Sequence, residues 1–171
     1  MKSFVQIVLI SLVLFAGKGV AASLTFGATA PSVKAVNQDG KVIDFAEVYK
    51  NNKYVLVYFY PKADTPGCTA QANSLKGAYE ELHGKRGVRI YGVSSDAVDI
   101  QKDFQKKYNL PFDLIADEKK EVMKAFNVSS TFGYASRQAY LIKDGKIAWF
   151  DKTASTKDQA NDVMKFLESE K

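Results

Sequence analysis

Cys68 is the only cysteine in 171 residues, and its surroundings read Tyr60-Pro61-Lys62-Ala63-Asp64-Thr65-Pro66-Gly67-Cys68-Thr69. A buried thiol behaves as a small hydrophobe, whereas a thiolate is a nucleophile. Here the cysteine follows an apolar run, two prolines, a threonine and a glycine, and it precedes a helical pattern. That places it at the mouth of a helix, where backbone N–H groups point outward and favour negative charge. Thr65 brings a hydroxyl that can donate to sulfur or to a bound oxygen. Pro61 has no N–H, and its ring can wall a pocket against water. A nucleophilic cysteine needs its ionised form, a donor near its target and limited solvent. Pro61, Thr65 and Cys68 supply those three things, but the same residues also suit an ordinary proline-rich turn with a buried cysteine. Spacing alone leaves both readings open.

The elements around the cysteine are legible in outline. Tyr54 to Tyr60 is continuous, β-branched and aromatic, which predicts a strand buried on both faces and ended by Pro61. Tyr58, Phe59 and Tyr60 then read as core and pocket wall. Beyond Cys68, Leu75, Ala78, Tyr79 and Leu82 repeat at helical spacing, with Gly84 as a candidate cap. Val88 to Val93 is a second strand. Ser95 or Asp96 can cap a helix carrying Ile100 and Phe104 and ending near Asn109. Phe112 to Ile115 is a short strand, and Asp117 can cap a short helix with Val122, Met123 and Phe126. Asp-Gly turns predict hairpins over 33–44 and 138–150. Ala160, Val163, Met164 and Leu167 mark a last helix. The order ββ, βα, βα, βα, ββα predicts an α/β sandwich of thioredoxin type. It has a central mixed sheet, helices on both faces and an N-terminal β-hairpin.

Composition, with 46% hydrophobic and 25% charged residues, fits one globular domain with a full core. The first 22 residues differ in kind. A short positive start, Met1-Lys2-Ser3, leads into the apolar run Phe4 to Ala16. Val20 and Ala22 then stand at −3 and −1 of a small-residue cleavage site. This reads as a secretory signal peptide over 1–22, with cleavage after Ala22, or after Ala21 as the near alternative. The run is shorter than the roughly 20 apolar residues of a membrane span. The domain proper is 23–171, and export to the bacterial periplasm is expected, with no stable membrane association after cleavage. Losing Lys2 and Lys18 takes 24 basic residues to 22 against 19 acidic ones, a net charge of +3. The basic residues are scattered in pairs near acids, which excludes a nucleic-acid footprint. An exported domain usually spends cysteines on disulfides. A single one implies a reactive thiol or an intermolecular link.

The segment Leu56 to Gln71, with its Pro-x-x-x-Thr-x-x-Cys pattern at Pro61, Thr65 and Cys68, resembles the active site of peroxiredoxins. It is most similar to their bacterioferritin-comigratory-protein (peroxiredoxin Q) branch. The resemblance extends over most of the mature chain, through Gly27 to Pro31, Gly92 to Asp96, and Arg137 before the strand Gln138 to Ile142. It implies that Cys68 is the peroxidatic cysteine, oxidised by peroxide to a sulfenic acid. It implies that Arg137 stabilises the thiolate and holds the peroxide, and that Thr65 and the Cys68 N–H bind developing charge. Pro61 would shield the sulfenate, and Gln71 would orient Arg137. No cofactor or metal is implied, since sulfur carries the electrons.

The chain departs from that branch at one place. Many members carry a resolving cysteine five residues after the first, where this sequence has Asn73. A one-cysteine cycle follows, completed by an external thiol, either a thioredoxin-like protein or glutathione. A monomer or weak homodimer is expected, because a cysteine in a narrow pocket cannot easily meet its twin. The competing readings are a disulfide oxidoreductase, which needs a paired cysteine, and a non-catalytic thioredoxin-fold binding or redox-sensing protein. The single histidine, His83, reads as a solvated residue near a helix C-terminus, and Trp149 as strand packing.

Overall fold

The computed structural model describes residues 24–170. The expected signal peptide and its cleavage site lie outside the described residues. The strands are β1 (Lys34–Asn37), β2 (Val42–Asp44), β3 (Tyr54–Phe59), β4 (Val88–Ser94), β5 (Asp113–Ala116), β6 (Ser130–Thr131), β7 (Tyr134–Ala135), β8 (Gln138–Lys143) and β9 (Lys146–Asp151). The helices are α1 (Phe45–Asn51), α2 (Pro66–Gly77), α3 (Val98–Tyr108), α4 (Glu121–Ala125) and α5 (Gln159–Ser169).

Seven strands form one mixed sheet in the order β2-β1-β5-β4-β3-β8-β9. The pairs β3–β4 and β4–β5 are parallel, and β1–β2, β1–β5, β3–β8 and β8–β9 are antiparallel. This is the thioredoxin-like α/β architecture that the element order predicts. The N-terminal hairpin joins the sheet edge through β1 and β5.

β3 is the axis of the molecule. All six of its residues are buried, and alternation divides them between two cores. Tyr54, Leu56, Tyr58 and, just beyond the strand, Tyr60 pack with residues of α2, α3 and α5. Val55, Val57 and Phe59 pack with residues of α1 and α4. Each fully buried large apolar side chain contributes about 1.5–3 kcal/mol, so β3 holds both layers to one frame. Gly92 on β4 makes room for Tyr58, because a Cβ there would lie 2.6 Å from the phenolic oxygen.

Several local expectations are corrected. The sequence reading omits α1, which Asp44 caps by accepting from the Ala46 N–H at 3.0 Å. The predicted continuous helix through Leu82 is broken at Ala78, and Glu80–Lys85 winds as a π-helical turn. Gly84 lies inside that turn rather than capping it, and the chain reverses at Gly87, with φ +69°. α3 begins after Ala97, so neither Ser95 nor Asp96 is its cap. Ile100 is 44% exposed, and Gln101 takes the buried position instead. Asp117 does serve α4, accepting from the N–H groups of Val122 and Met123, although Lys120 stands at the cap position. The hairpin β6–β7 was not anticipated. His83 is half-buried rather than solvated, with Nδ1 3.1 Å from the Val88 carbonyl and its ring stacked on Tyr79.

Candidate active site

Two structural decisions bring Cys68 to its place. Pro61 ends β3, and Pro66 opens α2 at a first-turn position where its missing N–H costs nothing. The loop between them is fastened at both ends. The Ala63 N–H donates to Asp96 Oδ2 at 2.7 Å, an acceptor that also takes the Ser94 hydroxyl. Asp64, in the left-handed region at φ +58°, accepts from Lys107 Nζ at 2.6 Å and from the Tyr108 hydroxyl at 2.6 Å. Those two donors hold the Asp64 carboxyl below its usual range, with the Lys107 bond the larger cause.

Cys68 is the third residue of α2, and its residue is 1% exposed. The Thr69 N–H closes the first helical bond to the Thr65 carbonyl at 2.8 Å. The N–H groups of Gly67 and Cys68 are therefore left without intrahelical partners, at the positive end of the helix. Arg137, just before β8, places Nη2 3.5 Å from Cys68 Sγ. Gly67 permits that approach, because a Cβ there would lie 3.3 Å from Nη2 and 3.5 Å from the Thr156 methyl. The other guanidinium nitrogen, Nη1, makes a short hydrogen bond to Gln71 Oε1. Gln71 lies three residues beyond Cys68, on the next turn of α2, and is wholly buried.

The structure thus brings together Cys68, Arg137 and Gln71, with Pro61 and Thr65 half-exposed in the loop that leads into the same helix. Thr65 is oriented differently from expectation. Its hydroxyl donates to the Lys62 carbonyl at 3.0 Å rather than to sulfur. Its oxygen lone pairs are what it can offer a ligand. The sequence reading also missed Gln159, at the start of α5, which is wholly buried and whose Oε1 accepts from Gln71 Nε2 at 2.6 Å. No motif marks it, since it lies 88 positions from its partner. Among the described residues no group of His, Cys, Asp and Glu is arranged to hold a metal ion, and no helix is long and apolar enough to cross a membrane.

The AhpC/TSA family matches residues 26–150. The chain belongs to this family, the peroxiredoxins. Peroxiredoxin Q of Oryza sativa subsp. japonica, a chloroplastic protein, is 34% identical over 147 residues, covering 84% of this chain and 66% of that protein. The chain thus matches just under two thirds of its length. The chloroplastic peroxiredoxin Q of Sedum lineare is 34% identical over 152 residues, covering 86% of this chain and 80% of that one. Among solved structures, peroxidoxin BcpB of Mycobacterium tuberculosis superposes with a TM-score of 0.80 over 86% of this chain and 99% of that one. At 23% identity that likeness shows the fold. Within the peroxiredoxins the chain lies close to the peroxiredoxin Q and bacterioferritin-comigratory branch. It stands there as a single-cysteine protein, with exposed Asn73 where a resolving cysteine is common. Its homology is to peroxidases that use a reactive cysteine.

Proposed function

We propose that this chain is a one-cysteine thiol peroxidase, reducing hydrogen peroxide and organic hydroperoxides with electrons from an external thiol. The observation that carries the reading is the Arg137 guanidinium, 3.5 Å from a buried Cys68 sulfur and tied from its other side by Gln71. A fixed guanidinium beside a sulfur at a helix N-terminus sets charge-assisted donors where an incoming peroxide oxygen must lie.

The thiolate attacks one peroxide oxygen. An S–O bond forms as the O–O bond breaks, and the departing hydroxide or alkoxide takes a proton to leave as water or alcohol. Negative charge grows on the leaving oxygen, where Arg137 and the free N–H groups of Gly67 and Cys68 stabilise it. Thr65 acts as an acceptor. With its own hydrogen committed to Lys62, its oxygen receives the peroxide O–H and orients the substrate. Pro61 limits water and a second peroxide at the sulfenic acid. A thiol then attacks that sulfenic acid, releasing water and leaving a mixed disulfide, and a second thiol restores Cys68. A thioredoxin-like protein or glutathione supplies these thiols. The N-terminal pattern supports export to the bacterial periplasm, which the mass of the chain's N-terminus in a periplasmic fraction tests.

The test is the second-order rate of Cys68 oxidation by hydrogen peroxide, with Arg137→Ala beside it. The expected result is a rate far above that of a free thiol, falling about 10²-fold or more in the variant, the usual cost of removing one charge-stabilising donor. A free-thiol rate in both proteins would overturn the reading in favour of a non-catalytic protein.

A further inference from the structure

We infer that Gln159 is a positioning residue, holding the Arg137 guanidinium against Cys68 through Gln71. The inference rests on the peroxidase reading for its consequence in rate, but not for its geometry.

The polarity of the chain of contacts is dictated from one end. A guanidinium carries only donors, so the group of Gln71 that meets Arg137 Nη1 must be the amide oxygen. That fixes the flip of Gln71 and turns its Nε2 inward as a donor. Gln71 is wholly buried, so this donor needs an acceptor inside the protein. Gln159 Oε1 is that acceptor, at 2.6 Å. Using its oxygen this way leaves Gln159 Nε2 buried with no partner among the described residues. Burying such a donor is unfavourable. A core chosen for stability alone would fill the site with an apolar side chain, so the retained amide points to the oxygen it presents.

The frame around this contact is rigid. Gln159 is the first residue of α5, and its neighbour Ala160 donates its N–H to Ser74 Oγ of α2 at 3.2 Å. The first turn of α5 therefore grips α2 at Gln71 and Ser74, one helical turn apart. With Nη1 tied through this relay, Nη2 is the nitrogen left facing Sγ and Gly67. Without the acceptor on Gln159, Gln71 Nε2 is a buried donor with no partner, so the side chain gains by swinging out of the site toward another acceptor or water. Nη1 then loses the oxygen that holds it.

The experiment compares Gln159→Leu, which keeps volume and removes the acceptor, with Gln159→Glu, which keeps it. The first readout is the rate of Cys68 oxidation by hydrogen peroxide, with alkylation by iodoacetamide as a reference that reports on the sulfur without needing an oriented peroxide. The second is nitrogen NMR of the Arg137 side chain, where a held guanidinium gives separate Nη signals and a free one averages them. In Q159L we expect about a tenfold or larger fall in the peroxide rate relative to alkylation, together with averaged Nη signals. In Q159E both should stay near wild type. An unchanged ratio and unaveraged signals in Q159L would overturn the inference. So would an equal loss in Q159E, which would make Gln159 a packing residue. If the wild type shows no fast peroxide reaction but the Nη signals are still lost only in Q159L, the relay stands and the peroxidase reading fails.

Discussion

On one face of the sheet, Phe59 packs against Phe126 and Tyr140 with ring centroids 5.4 and 6.1 Å away, and Phe45 meets Tyr91 edge-on at 5.3 Å. On the other face, Gln71, Gln101 and Gln159 are wholly buried among the side chains of α2, α3 and α5. Polar groups on the first face close over short spans. The Tyr140 hydroxyl donates within reach of the Phe126 carbonyl and Gln138, and Asp117 accepts from α4 only a few residues on. On the second face the links reach further, with Tyr60 and Gln101 joined across 41 positions and Gln71 and Gln159 across 88, and three of its groups, the Tyr58 and Thr69 hydroxyls and Gln159 Nε2, find no partner among the described residues. Cys68 belongs to this second face. The aromatic layer is built for stability, and the polar layer gives up some of it to hold a guanidinium beside a sulfur.

That contrast breaks most sharply at Phe59. Phe59→Ala should cost about 3–5 kcal/mol in urea unfolding, because it opens a cavity among large rings. The peroxide rate of the folded fraction should stay close to wild type. A rate falling in step with stability would mean that the two faces are not separable. On the polar face the signs reverse. Tyr58→Phe removes a hydroxyl whose burial holds its proton well above the usual range. It should leave stability unchanged or raise it by about 1 kcal/mol, and a clear loss in thermal melting would show that the hydroxyl is satisfied. Gly67→Ala should be milder in stability, since alanine favours a helix by up to about 1 kcal/mol. Its methyl group must nonetheless displace Arg137 Nη2, so the peroxide rate should fall roughly tenfold while the melting temperature holds. Equal rates would mean that the guanidinium need not stand where it does.

On the aromatic face, β3, the two Asp-Gly hairpins and the apolar residues of α4 follow from period and turn chemistry, because burial there tracks hydrophobicity. α1 does not, since its seven residues are too few to show a period. The polar face defeats that rule at Ile100 and Gln101. Helical spacing assigns the inward position to the isoleucine. Gln101 takes it because its amide meets the Ser94 hydroxyl, the Ile115 carbonyl and the Tyr60 hydroxyl at once. No local pattern encodes three partners from three elements. The candidate site divides in the same way. Pro61, Thr65 and Cys68 lie within eight residues and carry their own context. Arg137 is 69 positions from the cysteine, and only family resemblance picked it out. Gln159 left no trace, since a glutamine among the polar residues before a helix looks like solvated surface.

The smallest expected effect lies at the loop where the two layers meet the solvent. Asp64 fastens the segment between Pro61 and Pro66 to the end of α3 through Lys107 and Tyr108. These bonds depress its pKa in the folded state below the ordinary value of 3.8. A carboxyl with a depressed folded pKa contributes stability that is present above its unfolded value and lost as pH falls through its folded one. Asp64→Asn keeps a side chain that tolerates the positive φ and can still accept from Tyr108, but it removes the charge. The variant should melt slightly below wild type at neutral pH, and the gap should close as pH drops through the depressed Asp64 value. Because the pair is exposed, added salt should also narrow the gap at neutral pH. A gap that persists in both acid and salt would locate the stabilisation in loop geometry rather than in charge. The Cys68 loop would then be held by its backbone and by Asp96, with Asp64 only an ornament on it.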